Sequence, residues 1–206
     1  MHPKCSRLVF LAGLLAPLSG AHAAEIVIDT FMTAQSTTGV VDGAGILGGE
    51  RDASVNGGNL LNISGGTAQM NLPSDQTGLF IILTWDGNDG STTVGYLLNE
   101  DLTDGGSNDR FYLGISAVSG TVQGNLYIAE DQALYGSIDF PISATGIIEI
   151  PFDSIPLSDP SVDFAGTNHL RLRMIMDPGE SITVNKFSVG PADLGQVFED
   201  GFEPEP

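Results

Sequence analysis

Five aspartates stand in two short loops, and their spacing fits the chemistry of a hard cation. Asp86 and Asp89 lie in the 85–90 segment Trp-Asp-Gly-Asn-Asp-Gly, and Asp101, Asp104 and Asp109 lie in the 100–110 segment. Calcium takes six to eight oxygens from carboxylates, amides and backbone carbonyls, and Asp/Asn/Gly loops supply all three. Neither loop has EF-hand spacing: counting from Asp86 puts Gly90 at the fifth position and Ser91 where glycine should be. The same residues are ordinary turn formers, so calcium loops and acidic turns both stand as readings.

A second group is basic. His169, Arg171 and Arg173 follow an i, i+2, i+4 spacing, which on a strand lines one face of a sheet. That face could take a carboxylated or sulfated ligand through charge-assisted hydrogen bonds, or pair across strands with acids such as Glu149. Trp85 is the sole tryptophan and the one large aromatic platform to offer a sugar. A third group is the segment Ile46-Leu47-Gly48-Gly49-Glu50-Arg51-Asp52. Two glycines allow a bulge entering a strand. Alternation then puts Glu50 and Asp52 opposite Arg51, which could pin a loop by charge-assisted hydrogen bonds.

Most enzyme arrangements fail by subtraction. There is no Gly-x-Ser-x-Gly elbow, and beyond residue 23 the chain has His169 as its sole histidine and no cysteine. A Ser-His-Asp triad would have to use His169; cysteine nucleophiles, disulfides and Cys-ligated zinc are excluded. The 26 acidic residues leave a carboxylate pair for glycoside hydrolysis open.

The elements that must position these groups read as all-β. β-Branched residues come in short runs between Gly, Asn, Asp and Pro turn signals. Predicted strands are 25–31, 59–63, 67–72, 78–85, 92–98, 110–118, 122–129, 133–140, 146–152, 168–176 and 181–189. In 168–176, Leu170, Leu172, Met174 and Met176 face one way and the basic residues the other. The run 78–85 is apolar on both faces and is expected to be central. About eleven short strands in one domain predict an antiparallel two-sheet β-sandwich of jelly-roll type spanning 24–190.

Residues 1–23 read as a secretory signal peptide. Lys4 and Arg7 supply the positive region, residues 8–16 the apolar core, and Ala21-His22-Ala23 the cleavage site. The apolar run is too short to span a bilayer, so no transmembrane anchor is expected. Cys5 precedes the apolar core, which argues against a lipid anchor. Residues 191–206, ending Phe-Glu-Asp-Gly-Phe-Glu-Pro-Glu-Pro, read as an acidic flexible tail. Beyond residue 23 only Arg51, Arg110, Arg171, Arg173 and Lys186 face 26 acids. Nucleic acid needs a basic face and is excluded as a partner.

The opening Ile28-Asp29-Thr30-Phe31, the segment 46–52 and the stretch 101–109 together resemble a diffuse group of exported bacterial proteins of unknown function. The opening strand and the closing Ile182-Thr183-Val184-Asn185-Lys186-Phe187 also resemble jelly-roll carbohydrate-binding modules. These resemblances imply a secreted, periplasmic or surface-associated protein without a catalytic centre, and an extracellular glycan as partner. A hydrolase working through a carboxylate pair and a structural envelope or matrix component are the alternatives. The oligomeric state is not written in the sequence.

Overall fold

The computed structural model describes residues 24–192. The signal peptide expected at 1–23, and the tail from residue 193 on, lie outside the described residues. Among the described residues, twelve strands form two antiparallel sheets of six. The first sheet contains β1 (Ile26–Asp29), β4 (Leu60–Ser64), β5 (Thr67–Asn71), β7 (Arg110–Ser119), β10 (Gly146–Pro151) and β12 (Ser181–Gly190). Its order is β10-β7-β12-β5-β4. The edge of β12 away from β7 pairs with β5 over residues 181–184 and with β1 over 187–189. The second sheet contains β2 (Gly39–Asp42), β3 (Glu50–Val55), β6 (Ile81–Trp85), β8 (Val122–Ala129), β9 (Tyr135–Ile142) and β11 (His169–Ile175). Its order is β2-β3-β6-β11-β8-β9, so β6, from the run apolar on both faces, is interior as expected.

Period-two alternation builds the core. Leu170, Leu172 and Met174 of β11 are buried beside Trp85, Leu83 and Ile81 of β6, their register partners. Phe111 and Leu113 of β7 and Val184, Phe187 and Val189 of β12 are buried from the other sheet. The rings of Trp85 and Phe187 meet across the sandwich with centroids 5.2 Å apart. Burying such side chains contributes about 1.5–3 kcal/mol each, which lets the domain hold together without disulfides.

The strand pattern departs from the sequence expectation in two places. β2 adds to the predicted strands, and β3, Glu-Arg-Asp-Ala-Ser-Val, is the strand that the 46–52 segment is expected to enter, though its run lies outside the predicted strands. Residues 92–98, predicted as a strand, form none. Their backbone closes elsewhere: Leu97 N–H donates to the Asp86 carbonyl at 2.9 Å and Leu98 N–H to the Asn168 carbonyl at 3.1 Å. Gly87 permits this approach with a φ of 97°, for a Cβ there would lie 2.6 Å from the Leu97 carbonyl carbon.

Arg51 is the anchor the sequence suggested. It lies on the core side of β3, fully buried, and its Nη1 donates to Asp29 Oδ2 of β1 at 2.7 Å. Its Nε donates to Gln35 Oε1 at 2.9 Å and its Nη2 to the Thr33 carbonyl at 2.8 Å. Trp85 Nε1 also donates to Asp29 Oδ2, at 3.2 Å. One ion pair therefore ties the two sheets and the 30–38 loop together.

Candidate functional site

The outer face of the second sheet gathers most of the chemistry. From β3 it receives Glu50 and Asp52, from β6 Ile82 and Thr84, and from β11 His169, Arg171 and Arg173. From β8 it receives Asn125 and Tyr127, and from β9 Tyr135, Ser137 and Asp139. The antiparallel register fixes the neighbours: Asp52 lies beside Thr84, Thr84 beside Arg171, Arg171 beside Tyr127, and Tyr127 beside Ser137. Acids occupy the β3 side, and guanidinium and aromatic groups the β11–β9 side.

On that second side, the Arg171 guanidinium carbon stands 4.6 Å from the centre of the Tyr127 ring and that of Arg173 stands 4.7 Å from the Phe80 ring. Tyr127 stacks on Tyr135 at 5.4 Å, and Tyr135 is the exposed member. Asn125 Nδ2 donates to Asp139 Oδ1 at 2.7 Å and Ser137 Oγ at 2.9 Å, which sets a polar margin. The Nε atoms of Arg171 and Arg173 are buried with no hydrogen-bond partner. The cross-strand acid suggested from the sequence is not there: Glu149 sits in the first sheet and accepts from Arg110 Nη1 at 2.7 Å. Burial lowers the Arg171 guanidinium from its ordinary value and raises the Tyr127 hydroxyl.

His169 closes this row. It is 2% exposed, between the rings of Tyr96 at 5.4 Å and Tyr127 at 5.6 Å. Its Nδ1 lies 3.1 Å from the Gly95 carbonyl, so the neutral ring carries its proton on Nδ1 and donates it there. Burial pulls its pKa down to about 4, and Arg171 adds to that, against the Gly95 contact. Asp86 Oδ2 is 3.8 Å away, too far for a hydrogen bond.

The acidic side is tighter. Oxygens of Glu50, Asp52 and Asp86 all lie within 4.8 Å of one another, and this group could hold a metal ion. The i, i+2 spacing puts Glu50 and Asp52 on one face of β3, and continuing the β3–β6 register by two residues brings Asp86 opposite Glu50. Glu50 Oε2 accepts from Gly90 N–H at 2.9 Å, and Asp86 Oδ2 from Gly95 N–H at 2.6 Å. Asp52 Oδ1 is buried and accepts nothing. Burial, then the charges of Asp86, Glu50 and Asp89, push the Asp52 pKa up to about 7. Burial also raises Asp86 and Glu50, against the backbone N–H groups that hold them.

The structure thus brings together His169, Arg171, Arg173 and Asp86. Trp85 is on the opposite side of β6, 0% exposed, with its indole N–H on Asp29. It has no surface to offer a ligand, because the residue that ends β6 on the core face is the one whose size fills the gap to Phe187. Asp89 accepts from Ser91 N–H at 2.8 Å. Asp101 accepts from the Thr103 hydroxyl at 2.6 Å, Gly105 N–H at 3.1 Å and Thr103 N–H at 2.9 Å, bonds that hold its carboxyl below the ordinary value, the hydroxyl most of all. Asp104 accepts from Ala24 N–H at 3.3 Å, and Asp109 pairs with Arg110 at 2.9 Å. Each of these last three is engaged by a partner of its own, Asp101 within its turn, Asp104 by a distant backbone N–H and Asp109 by Arg110.

Tyr127, Tyr135 and Phe80 join the site without a motif to announce them. The signal for Tyr127 is the alternation Gln123, Asn125, Tyr127 along β8. A groove of about 370 Å³ lined by Gln35, Thr37, Val40, Asn62 and Ser64 carries no titratable side chain. Among the described residues no helix is long and apolar enough to cross a membrane.

No family model matches this sequence, and no curated protein matches it. Among solved structures, the chain is similar to a family 11 carbohydrate-binding module from Clostridium thermocellum, in complex with a β-1,3-1,4-mixed-linked tetrasaccharide. The identity is 15% and the TM-score 0.45, over 84% of this chain and 98% of that one. A solution structure of CtCBM11 is similar at 14% identity and a TM-score of 0.46, over 85% of this chain and 99% of that one. PfGH50B is similar at 10% identity and a TM-score of 0.41, over 82% of this chain and 23% of that one.

Proposed function

We propose that this chain is an exported, non-catalytic β-sandwich protein that binds a neutral glycan on the outer face of its second sheet. The observation that carries the reading is the pair of stacks, Arg171 on Tyr127 and Arg173 on Phe80, beside the exposed ring of Tyr135. A sugar ring laid on this row meets both kinds of group. Its hydroxyl oxygens accept from guanidinium groups, and its C–H faces pack on aromatic rings such as the exposed Tyr135. Asp139 at the margin accepts hydroxyl protons. A net charge of −19 over the whole sequence disfavours long anionic polymers.

Hydrolysis by a carboxylate pair fits less well. Carboxyl groups flanking a glycosidic bond stand about 5–9.5 Å apart with room for sugar or water between. The Glu50, Asp52 and Asp86 oxygens lie within 4.8 Å, and those residues are 1%, 6% and 1% exposed.

Affinity electrophoresis through gels containing soluble neutral polysaccharides tests the reading. Retardation by at least one polymer is expected, weakened tenfold or more by R173A and by Y135A. Unretarded migration across the panel, or retardation that both variants preserve, overturns it. Export is tested separately: the N-terminus of extracytoplasmic protein should be Ala24, and an intact Met1 would refute it.

A further inference from the structure

We propose that Glu50, Asp52 and Asp86 form a calcium site built into the outer face of the second sheet. It goes beyond the glycan reading and stands without it. Three buried carboxylates share one small space. Arg51, the cation between two of them in sequence, is turned to the core and engaged by Asp29 at 2.7 Å. Like-charged groups so close and so dry require either protons or a counter-ion.

The independent observation is Asp52. It is 6% exposed, its carboxyl faces those of Glu50 and Asp86 within 4.8 Å, and its Oδ1 is buried and accepts no hydrogen bond. Its two neighbours have each satisfied part of their capacity with backbone N–H groups, Glu50 with Gly90 and Asp86 with Gly95. Each of those oxygens keeps a further lone pair. The donor set is oxygen only, which suits a hard cation and not zinc.

Hydration and coordination geometry separate the hard cations. Two oxygens on opposite sides of calcium, at 2.3–2.6 Å each, stand about 4.6–5.2 Å apart. One oxygen from each of Glu50, Asp52 and Asp86 lies within 4.8 Å of the other two, a spacing one such ion can bridge. Magnesium needs a tighter octahedron at about 2.0–2.1 Å and gives up its water reluctantly. The 87–95 loop closes the site: a Cβ on Gly95 would lie 2.8 Å from Asp89 Oδ2 and 3.2 Å from Asp86 Oδ2. Glycine at 95 therefore lets a fourth carboxylate approach.

The test is calorimetric titration of the chelator-treated protein with calcium chloride, with thermal melting in calcium or magnesium at matched ionic strength. Binding at one site per chain is expected, with a melting temperature raised by about 5–10 °C at calcium a hundredfold above Kd. D52N and E50Q should each weaken calcium binding at least tenfold, and D101N, in a turn of its own, should leave it unchanged. D52N removes a carboxylate that accepts nothing through Oδ1, so its metal-free melting temperature should stay at or above the parent's and separates lost binding from lost folding. Absence of binding heat, full binding by both D52N and E50Q, loss of binding in D101N, or a melting rise no larger in calcium than in magnesium each overturns the site.

Discussion

Removing the Asp29 carboxylate should unsettle the whole sandwich. Asp29 Oδ2 accepts from Arg51 at 2.7 Å and from Trp85 at 3.2 Å, and its Oδ1 accepts from Phe31 N–H at 2.7 Å. The last bond holds Phe31, fully buried, at a φ of 53°, a region a bulky side chain enters only under constraint. In D29A the guanidinium stays buried with its charge uncompensated. Breaking one side of a buried pair costs about 3–5 kcal/mol, and a domain of this size loses about 2–4 °C of melting temperature per kcal/mol. The expected drop is therefore about 6–20 °C. Equilibrium denaturation followed by Trp85 fluorescence reports on the site directly, since Trp85 is the sole tryptophan and its indole N–H is on the lost carboxylate. The double variant D29L/R51M should be less destabilised than the sum of D29L and R51M, because it leaves no lone charge behind. A D29A cost below about 1 kcal/mol, or strict additivity in the cycle, would refute the buried pair as the tie between the sheets.

The His169 imidazole should titrate near pH 4 by NMR; a midpoint above 6 would contradict its burial between Tyr96 and Tyr127. Between pH 6.5 and 4 the unfolded chain then binds the extra proton, so this contribution is whole above 6.5 and lost as pH falls, by up to about 3 kcal/mol. Asp52, raised to about 7, acts in the opposite sense over the same window, so the acid limb is best measured in D52N and should flatten in D52N/H169Q. Gly87→Ala should cost about 1–3 kcal/mol because of its φ of 97° and a backbone atom 2.6 Å from the new Cβ, whereas Gly90→Ala, with φ 66° and open space, should cost less; equal losses by chemical denaturation would remove the argument from close packing. E149Q should change stability by less than about 1 kcal/mol, since Arg110–Glu149 is solvent-exposed in part; a larger loss would mean that surface pairs matter here as much as the Asp29–Arg51 pair.

Alternation along single strands is legible in the sequence by itself. The expected 122–129 strand coincides with β8, and the expected 168–176 strand contains β11 with its basic residues on the face assigned to them. What alternation does not carry is which strand lies next to which. Glu149 has the charge to partner Arg171, but β10 pairs with β7 in the other sheet, where Arg110 takes it. The 92–98 run has strand-like residues, yet Asp86 and Asn168 satisfy its backbone from outside any ladder. Local composition does not encode those distant bonds. Trp85 fails as a platform for a related reason: its face depends on register, and register puts it beside Leu170 in the core.

β3 concentrates both lessons. A strand reading Glu-Arg-Asp carries charge on both faces, and charge buried on either face persists only where the fold supplies a partner. On the core face Arg51 has Asp29, Gln35 and the Thr33 carbonyl. On the outer face Glu50 has the amides of Asp89 and Gly90. Alternation alone assigns the three charges to their faces. It cannot assign the partners, which arrive from 16 to 40 positions away along the chain. Asp52 is the member whose Oδ1 is left over when each of the others has been satisfied. That imbalance follows from three carboxylates converging on the one side of β3 that has no arginine of its own. It marks where the folded chain still has an affinity to express.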